Sequence, residues 1–134
     1  MTSPLLRGKI YSHKKFTFQD GGQADKLLIL VNEPTGTTDW IFVKTTSQPK
    51  PKDTQGCHST HNLYVLNLGE DFFRKKTWVQ FHELYPFNHQ ALLKAKLGGD
   101  IQEKGQLREQ TTRALLNCMR KSEDLSPVEL GWLK

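Results

Sequence analysis

The hydrophobic pattern predicts an α+β domain: a small, mostly β fold with its helices gathered at the C-terminal end. Two observations carry this expectation. The first two thirds of the chain contain about six short segments with the alternating or continuous apolar pattern of strands. The last third changes to helical spacing, with Leu107, Thr111, Ala114, Leu115 and Cys118 on one stripe. Many short strands followed by a packing helix point to a strongly bent sheet or barrel, because closure limits exposed edges in so small a domain.

The β part begins with GKIYSH and KFTFQD, where Phe16 and Phe18 alternate with polar residues as on a half-buried strand. Asp20-Gly21-Gly22 turns the chain. Leu27 to Val31 reads LLILV, apolar at every position, which predicts a central strand covered on both faces. Asn32 to Thr38, with Pro34 and Gly36, supplies the next turn. In WIFVKTTS, Ile41, Val43 and Thr45 share one face, and Trp40, Phe42, Lys44 and Thr46 share the other. From Gln48 to His61 apolar residues nearly vanish, so a long exposed loop is expected there. NLYVLNL and TWVQFHEL resume the β pattern on either side of the charged stretch Glu70 to Lys76. Asn88 is placed to cap a short helix through QALLKAKL, which Gly98-Gly99 stops by permitting a left-handed backbone. The longer amphipathic helix after it should pack on the sheet. Ser126-Pro127-Val128-Glu129 has the form of a capping box with proline at the first helical position, predicting a final helical turn that carries Trp132.

Composition narrows the class of partner. A chain of 134 residues with 36% hydrophobic content supports one modest core. Its formal charge of +5, from 19 Lys+Arg against 14 Asp+Glu, favours an anionic partner, either nucleic acid or an acidic protein. No apolar run approaches the roughly 20 residues that cross a bilayer, and Met1 to Ile10 has no long apolar segment resembling a secretion signal. A cytoplasmic location without membrane contact is expected. Cys57 and Cys118 form no CxxC pair, which fits a reducing compartment and still admits one disulfide.

Five segments then fall in a telling order: GKIY, KLLILV, IFVKTTSQ, TWVQFHEL, and KGQL leading into the amphipathic helix. From about Gly8 to Met119 this order resembles the MazF/PemK (Kid) family of toxins from toxin–antitoxin pairs. The resemblance implies an SH3-like barrel over about residues 8–87 with a helical part over 88–134. It also implies a homodimer that binds single-stranded RNA and cleaves it without metal or cofactor, leaving a 2′,3′-cyclic phosphate. A small cognate antitoxin would neutralise it by filling the RNA groove. The family's arginine at the head of the KLLILV strand is Lys26 in this chain, and its threonine and hydroxyl pair falls on Thr46-Ser47, with Thr45 as the alternative register. The family's opening loop, a proline followed by Gly-x-Glu, is replaced by FTFQDGGQADK.

RNA transesterification needs an acceptor for the 2′-hydroxyl proton, a donor for the leaving 5′-oxygen, and donors facing the charge on phosphorus. Lys26 suits electrostatic stabilisation, because a lysine is a weak base at neutral pH unless burial or neighbouring cations lower its pKa, and Lys44 is close enough in sequence pattern to do so. Lysine is a point charge where arginine offers a rigid fork, so the exchange is not conservative. Thr46 and Ser47 can donate to non-bridging phosphate oxygens, although strand-end hydroxyls often satisfy local backbone instead. Lys44, Thr45, Lys50, Lys52, Arg74 and Lys75 are candidate RNA contacts, joined by His58 and His61 in the exposed loop. His82 is a possible general base, but Glu83 should point to the opposite face of its strand and so not orient it. Trp40, Tyr64 and Trp78 could stack on bases, though strand aromatics more often fill cores. Cys57, His58 and His61 have the types of zinc ligands but lack a fourth, and no metal is expected. Two other functions compete with the nuclease: a non-catalytic RNA- or protein-binding relative, which Lys26 favours, and a CcdB-like gyrase inhibitor, which the ending GWLK with Trp132 faintly resembles.

Overall fold

A computed structural model describes residues 6–17, 23–35, 38–67, 73 and 75–133. Phe18, the Asp20-Gly21-Gly22 turn, Gly36, Glu70 and Arg74 lie outside the described residues. The seven described strands are β1 (Lys9–Thr17), β2 (Gln23–Leu30), β3 (Trp40–Thr46), β4 (Gly56–His58), β5 (Leu63–Leu66), β6 (Thr77–Phe87) and β7 (Ile101–Gln106). Three helices follow or interrupt them: α1 (His89–Leu97), α2 (Glu109–Arg120) and α3 (Pro127–Trp132). The fold is therefore a small, mostly antiparallel β structure with helices toward its end, the α+β class the sequence predicts.

The strands form one sheet in the order β4-β5-β6-β3-β2-β1-β7. Among the described residues it is an open sheet, not the closed barrel expected. Its edges are protected by other means. β4 is only three residues long, and β7 exposes Gln102, Glu103 and Lys104, charged and polar residues that discourage further strand pairing. GKIYSH and KFTFQD merge into the single strand β1, with a register shift between His13 and Phe16.

β2 shows why this sheet can be covered twice. Leu28 and Leu30 face a cluster with Tyr11, Phe42, Leu92 of α1 and Ile101. Ile29 and Val31 face the opposite cluster, with Val43, Val79, Phe81 and the α2 residues Leu115 and Met119. Each such side chain, fully removed from water, contributes about 1.5–3 kcal/mol. An uninterrupted apolar strand is the sequence signature of this arrangement, and β2 is accordingly central.

Local signals set the helix ends. The Asn88 side chain accepts from the backbone N–H of Ala91 at 2.7 Å, and the left-handed stop after α1 falls on Gly99, with φ +78°, while Gly98 remains right-handed. Ser126 and Glu129 complete both halves of the capping box of α3. α2 buries Thr111, Thr112, Leu115, Leu116, Cys118 and Met119. Cys118 is bonded to Cys57, a disulfide across a sequence separation of 61 that ties edge strand β4 to α2. No described helix is long and apolar enough to cross a membrane.

Two departures from the sequence reading bear on the site. The stretch from Gln48 to His61 is exposed through Gln55, apart from the half-buried Lys50, but then enters β4 and a short 3-10 turn, Ser59–His61. Along the β3–β6 ladder the pairing passes from Phe42↔Tyr85 to Lys44↔Gln80. There β6 advances further than β3 and bulges, so the simple alternation of faces fails around His82 and Glu83.

Candidate functional site

Three strand ends meet at one place. The antiparallel β2–β3 register aligns Leu28 with Lys44, so the start of β2 lies beside the end of β3. Thr46 at that end pairs with Trp78 near the start of β6. Between them lies a pocket of about 480 Å³ walled by Asp25, Lys26 and Leu27 of β2 and by Thr45 and Thr46 of β3. Ser47 and Gln48 continue the wall into the loop, and Phe73, Lys75 and Thr77 close it from the β6 side.

Lys26 reaches across the pocket floor, its ammonium donating to the Thr45 carbonyl at 3.4 Å. Burial is the main reason its pKa lies below the usual lysine value of 10.5, and the charges of Lys44 and Lys50 lower it further. Both effects disfavour the protonated form, and both would be relieved by an anion placed against it. Lys44 and Lys50 are half-buried, whereas Lys75 on the opposite wall is exposed.

The hydroxyls divide by role. Thr45, 4% exposed, donates its hydroxyl proton to the Leu27 carbonyl at 2.8 Å, a bond that ties β3 to β2. Its proton is spent on the backbone. Thr46, 8% exposed, instead accepts from the Gln48 N–H at 3.1 Å, so its own O–H is not consumed by that bond. Ser47 is exposed at the rim. The pairing Thr46-Ser47 is thus better disposed to meet a ligand than the alternative register at Thr45.

The remaining described candidates are not among the residues that line the pocket. His58 is held within its own loop, its Nε2 lying 2.7 Å from the Thr54 carbonyl and 3.1 Å from the Thr54 hydroxyl. His61 is exposed, with Nδ1 3.0 Å from the Thr60 hydroxyl. His82 is also exposed and lies 3.3 Å from the Glu83 carboxylate. That contact corrects the expectation that adjacent strand residues would keep the two apart, and the β6 bulge is the physical reason. None of the three histidines is among the described residues that line the pocket. Lys52 is exposed, and its carbonyl accepts from the Trp78 indole N–H at 2.7 Å, anchoring the loop. Arg74 lies outside the described residues.

The aromatic candidates pack inward. Trp78 is 3% exposed in a small cluster with Leu63 and Val65. Trp40 meets Tyr11 edge-on at 6.4 Å, with the Lys96 ammonium 4.9 Å from its ring centroid. Tyr64 is half-buried against the main core, as is Trp132, so the C-terminal tryptophan is a packing residue. Cys57 is engaged in the disulfide, which removes it from any zinc-ligand set. Among the described residues, no group of three His, Cys, Asp or Glu is placed to hold a metal ion.

Sequence reasoning missed Asp25, Gln48, Phe73 and Thr77. Asp25 is exposed at the head of β2 immediately before Lys26, and this adjacency was the available signal. Thr77 is buried and donates to the Lys75 carbonyl at 2.8 Å, which fixes the turn that presents Lys75. Among its described lining residues the pocket offers two cations, several hydroxyls and one carboxylate at one end of the sheet. Comparisons with family models, curated proteins and solved structures find no match to this chain.

Proposed function

We propose that this chain is a divergent MazF/PemK-like toxin, a metal-independent endoribonuclease that cuts single-stranded RNA. The observation that carries the reading is the convergence of Lys26, Thr46, Ser47 and Lys75 on one pocket from three strand ends. In the proposed reaction a scissile phosphate lies against Lys26 and Lys75. The 2′-oxygen forms a bond to phosphorus as the bond to the 5′-oxygen breaks, leaving a 2′,3′-cyclic phosphate. The 2′-hydroxyl proton passes to the Asp25 carboxylate, the one carboxylate among the described residues of the pocket wall, and the 5′-oxygen gains a proton from Lys26 or water. Thr46 and Ser47 donate to the non-bridging oxygens. On this reading the open sheet is a variant of the family's SH3-like barrel, and the protein acts as a cytoplasmic homodimer whose groove a cognate antitoxin fills.

A non-catalytic RNA-binding role is the second reading. It is favoured by the Thr45 hydroxyl being committed to the Leu27 carbonyl and by the placement of His58, His61 and His82 away from the pocket wall. The two are separated by incubating the protein with a synthetic single-stranded RNA in EDTA. Cleavage to fragments ending in a cyclic phosphate is expected, with Thr46→Ala slowing it by about 10²-fold or more, the usual cost of one preorganised donor. Lys26→Ala should suppress it further. A wild-type protein that binds the RNA and leaves it intact refutes the nuclease and supports the binder.

A further inference from the structure

We propose that the Cys57–Cys118 disulfide is a thiol-exchange site, addressed by a dithiol, that controls the loop at the rim of the anion pocket. The two half-cystines differ in access. Cys57 is an exposed residue on edge strand β4, while Cys118 on α2 is 1% exposed. Attack by an external thiolate is therefore directed to the Cys57 sulfur. It forms a mixed disulfide there and expels the Cys118 thiolate, which takes a proton from solvent. The second thiol of the dithiol then displaces Cys57, giving two protein thiols and one oxidised dithiol, a balanced two-electron exchange. The Cys118 sulfur already lies 3.7 Å from the Leu63 carbonyl, so the buried thiol has an acceptor waiting for its S–H.

The consequence follows from how little else holds β4. Among the described residues it pairs only with β5, through Gly56↔Val65, Cys57↔Tyr64 and His58↔Leu63. Gly56, at φ +108° with open space where a Cβ would stand, is a pivot immediately before Cys57. The chain leading to it begins at Ser47 and Gln48 on the pocket wall and includes Lys50, whose charge acts on Lys26. Side-chain bonds along the way include Thr46 to the Gln48 N–H, Trp78 to the Lys52 carbonyl, Asn67 to Gln55 at 2.8 Å, and His58 to Thr54. With the bond closed, α2 fixes the far end of this segment. With it open, the segment is a long exposed loop ending in a three-residue edge strand, the kind of element that opens locally.

This inference rests on the anion-binding reading for its effect on ligand but not for its effect on the loop, and the test separates them. The full-length protein is compared oxidised, fully reduced with a dithiol, and as Cys57→Ser/Cys118→Ser, with two titratable thiols confirming reduction. Hydrogen–deuterium exchange is followed over labelling times short enough that residues 28–31 stay protected in the oxidised form. Affinity for a labelled single-stranded oligoribonucleotide is measured in parallel. Reduction is expected to raise exchange in residues 47–58 at least tenfold while 28–31 stay protected, with the serine variant matching the reduced protein. Affinity should fall about fourfold at 0.15 M salt, the worth of one phosphate contact to a single strand. Unchanged exchange in 47–58 overturns the proposal, as does loss of protection in 47–58 and 28–31 together, which would mark a purely global staple. Loop opening with RNA affinity unchanged overturns the control of the pocket. If the oxidised protein binds no RNA, the function proposed above fails, while the exchange data still decide whether the disulfide governs the loop.

Discussion

Substituting Gly8 by alanine should expose how tightly β1 is locked to α2. Gly8 has φ +93°, and a Cβ built there would lie 2.5 Å from the Thr112 hydroxyl oxygen. The backbone cannot slide away. Its N–H donates to the Leu30 carbonyl at 2.7 Å and its carbonyl accepts from the Leu107 N–H at 2.8 Å, so it is clamped between β2 and the approach to α2. A side chain at positive φ costs about 1–2 kcal/mol, and forcing a methyl into occupied space adds about 1–3 kcal/mol. The sum is about 3 kcal/mol. For a chain of this length, unfolding entropy of about 2.1 cal/mol/K per residue turns that into a Tm lower by about 10 °C. Thr112→Ala alone should cost about 1 kcal/mol, since it removes the Oγ1 bond to the Arg108 carbonyl at 3.1 Å. It also removes the clashing atom, so the double variant should be more stable than the two single losses predict, by about 1–3 kcal/mol of coupling. Urea or thermal melts of the four proteins close the cycle. Additive losses would refute the clash and leave backbone conformation alone as the cause.

The lowered pKa of Lys26 makes two further predictions. Lys26→Met should leave Tm unchanged or raised at neutral pH, because it removes a partly buried charge set among cations, while weakening RNA binding by about fourfold or more, the worth of at least one phosphate contact; a lowered Tm with binding intact would contradict the assigned role. Its folded pKa lies below 10.5, so the charge penalty is present at neutral pH and is relieved as pH rises from the folded value toward 10.5, the range in which RNA affinity should weaken. The tyrosines act in the opposite direction. Burial, helped by Glu103 for Tyr11 and by Glu83 for Tyr85, raises both phenols from 10.0 to about 12. Their contribution to stability is complete below pH 10 and lost as pH rises toward 12, where unfolded phenols ionise first. Ultraviolet titration should show the Tyr11 and Tyr85 phenols ionising late, and ordinary transitions for both would refute the burial argument.

The parts of the fold that could be read in advance are those decided locally. LLILV declares a strand covered on both faces whatever its neighbours are, and the Asn88 and Ser126 caps act within one helical turn. β7 carries a single buried apolar residue, Ile101, so no alternation marks it, and only its ladder with β1 makes it a strand. Whether the sheet closes depends on which distant strands pair, and no local pattern encodes that. The disulfide was likewise unreadable, since residues 61 apart in sequence reveal nothing about proximity. At the site, Lys26 and Thr46-Ser47 could be named only through the family resemblance, and the structure draws them together with Asp25 and Lys75. His82 shows the reverse failure: a sound rule about alternating faces met a bulge that the sequence does not announce.

The pocket also has a history within each molecule. Every residue that lines it has been synthesised by Thr77, yet the sheet behind it is sealed by Leu115, Leu116 and Met119 of α2. A nascent chain thus possesses all the pocket side chains well before it possesses the helix that keeps Ile29 and Val43 from water. Folding of such a domain is cooperative and waits for its core. The pocket is therefore expected to mature only once α2 has cleared the ribosome, and a product truncated before α2 would carry the chemistry without the scaffold to hold it.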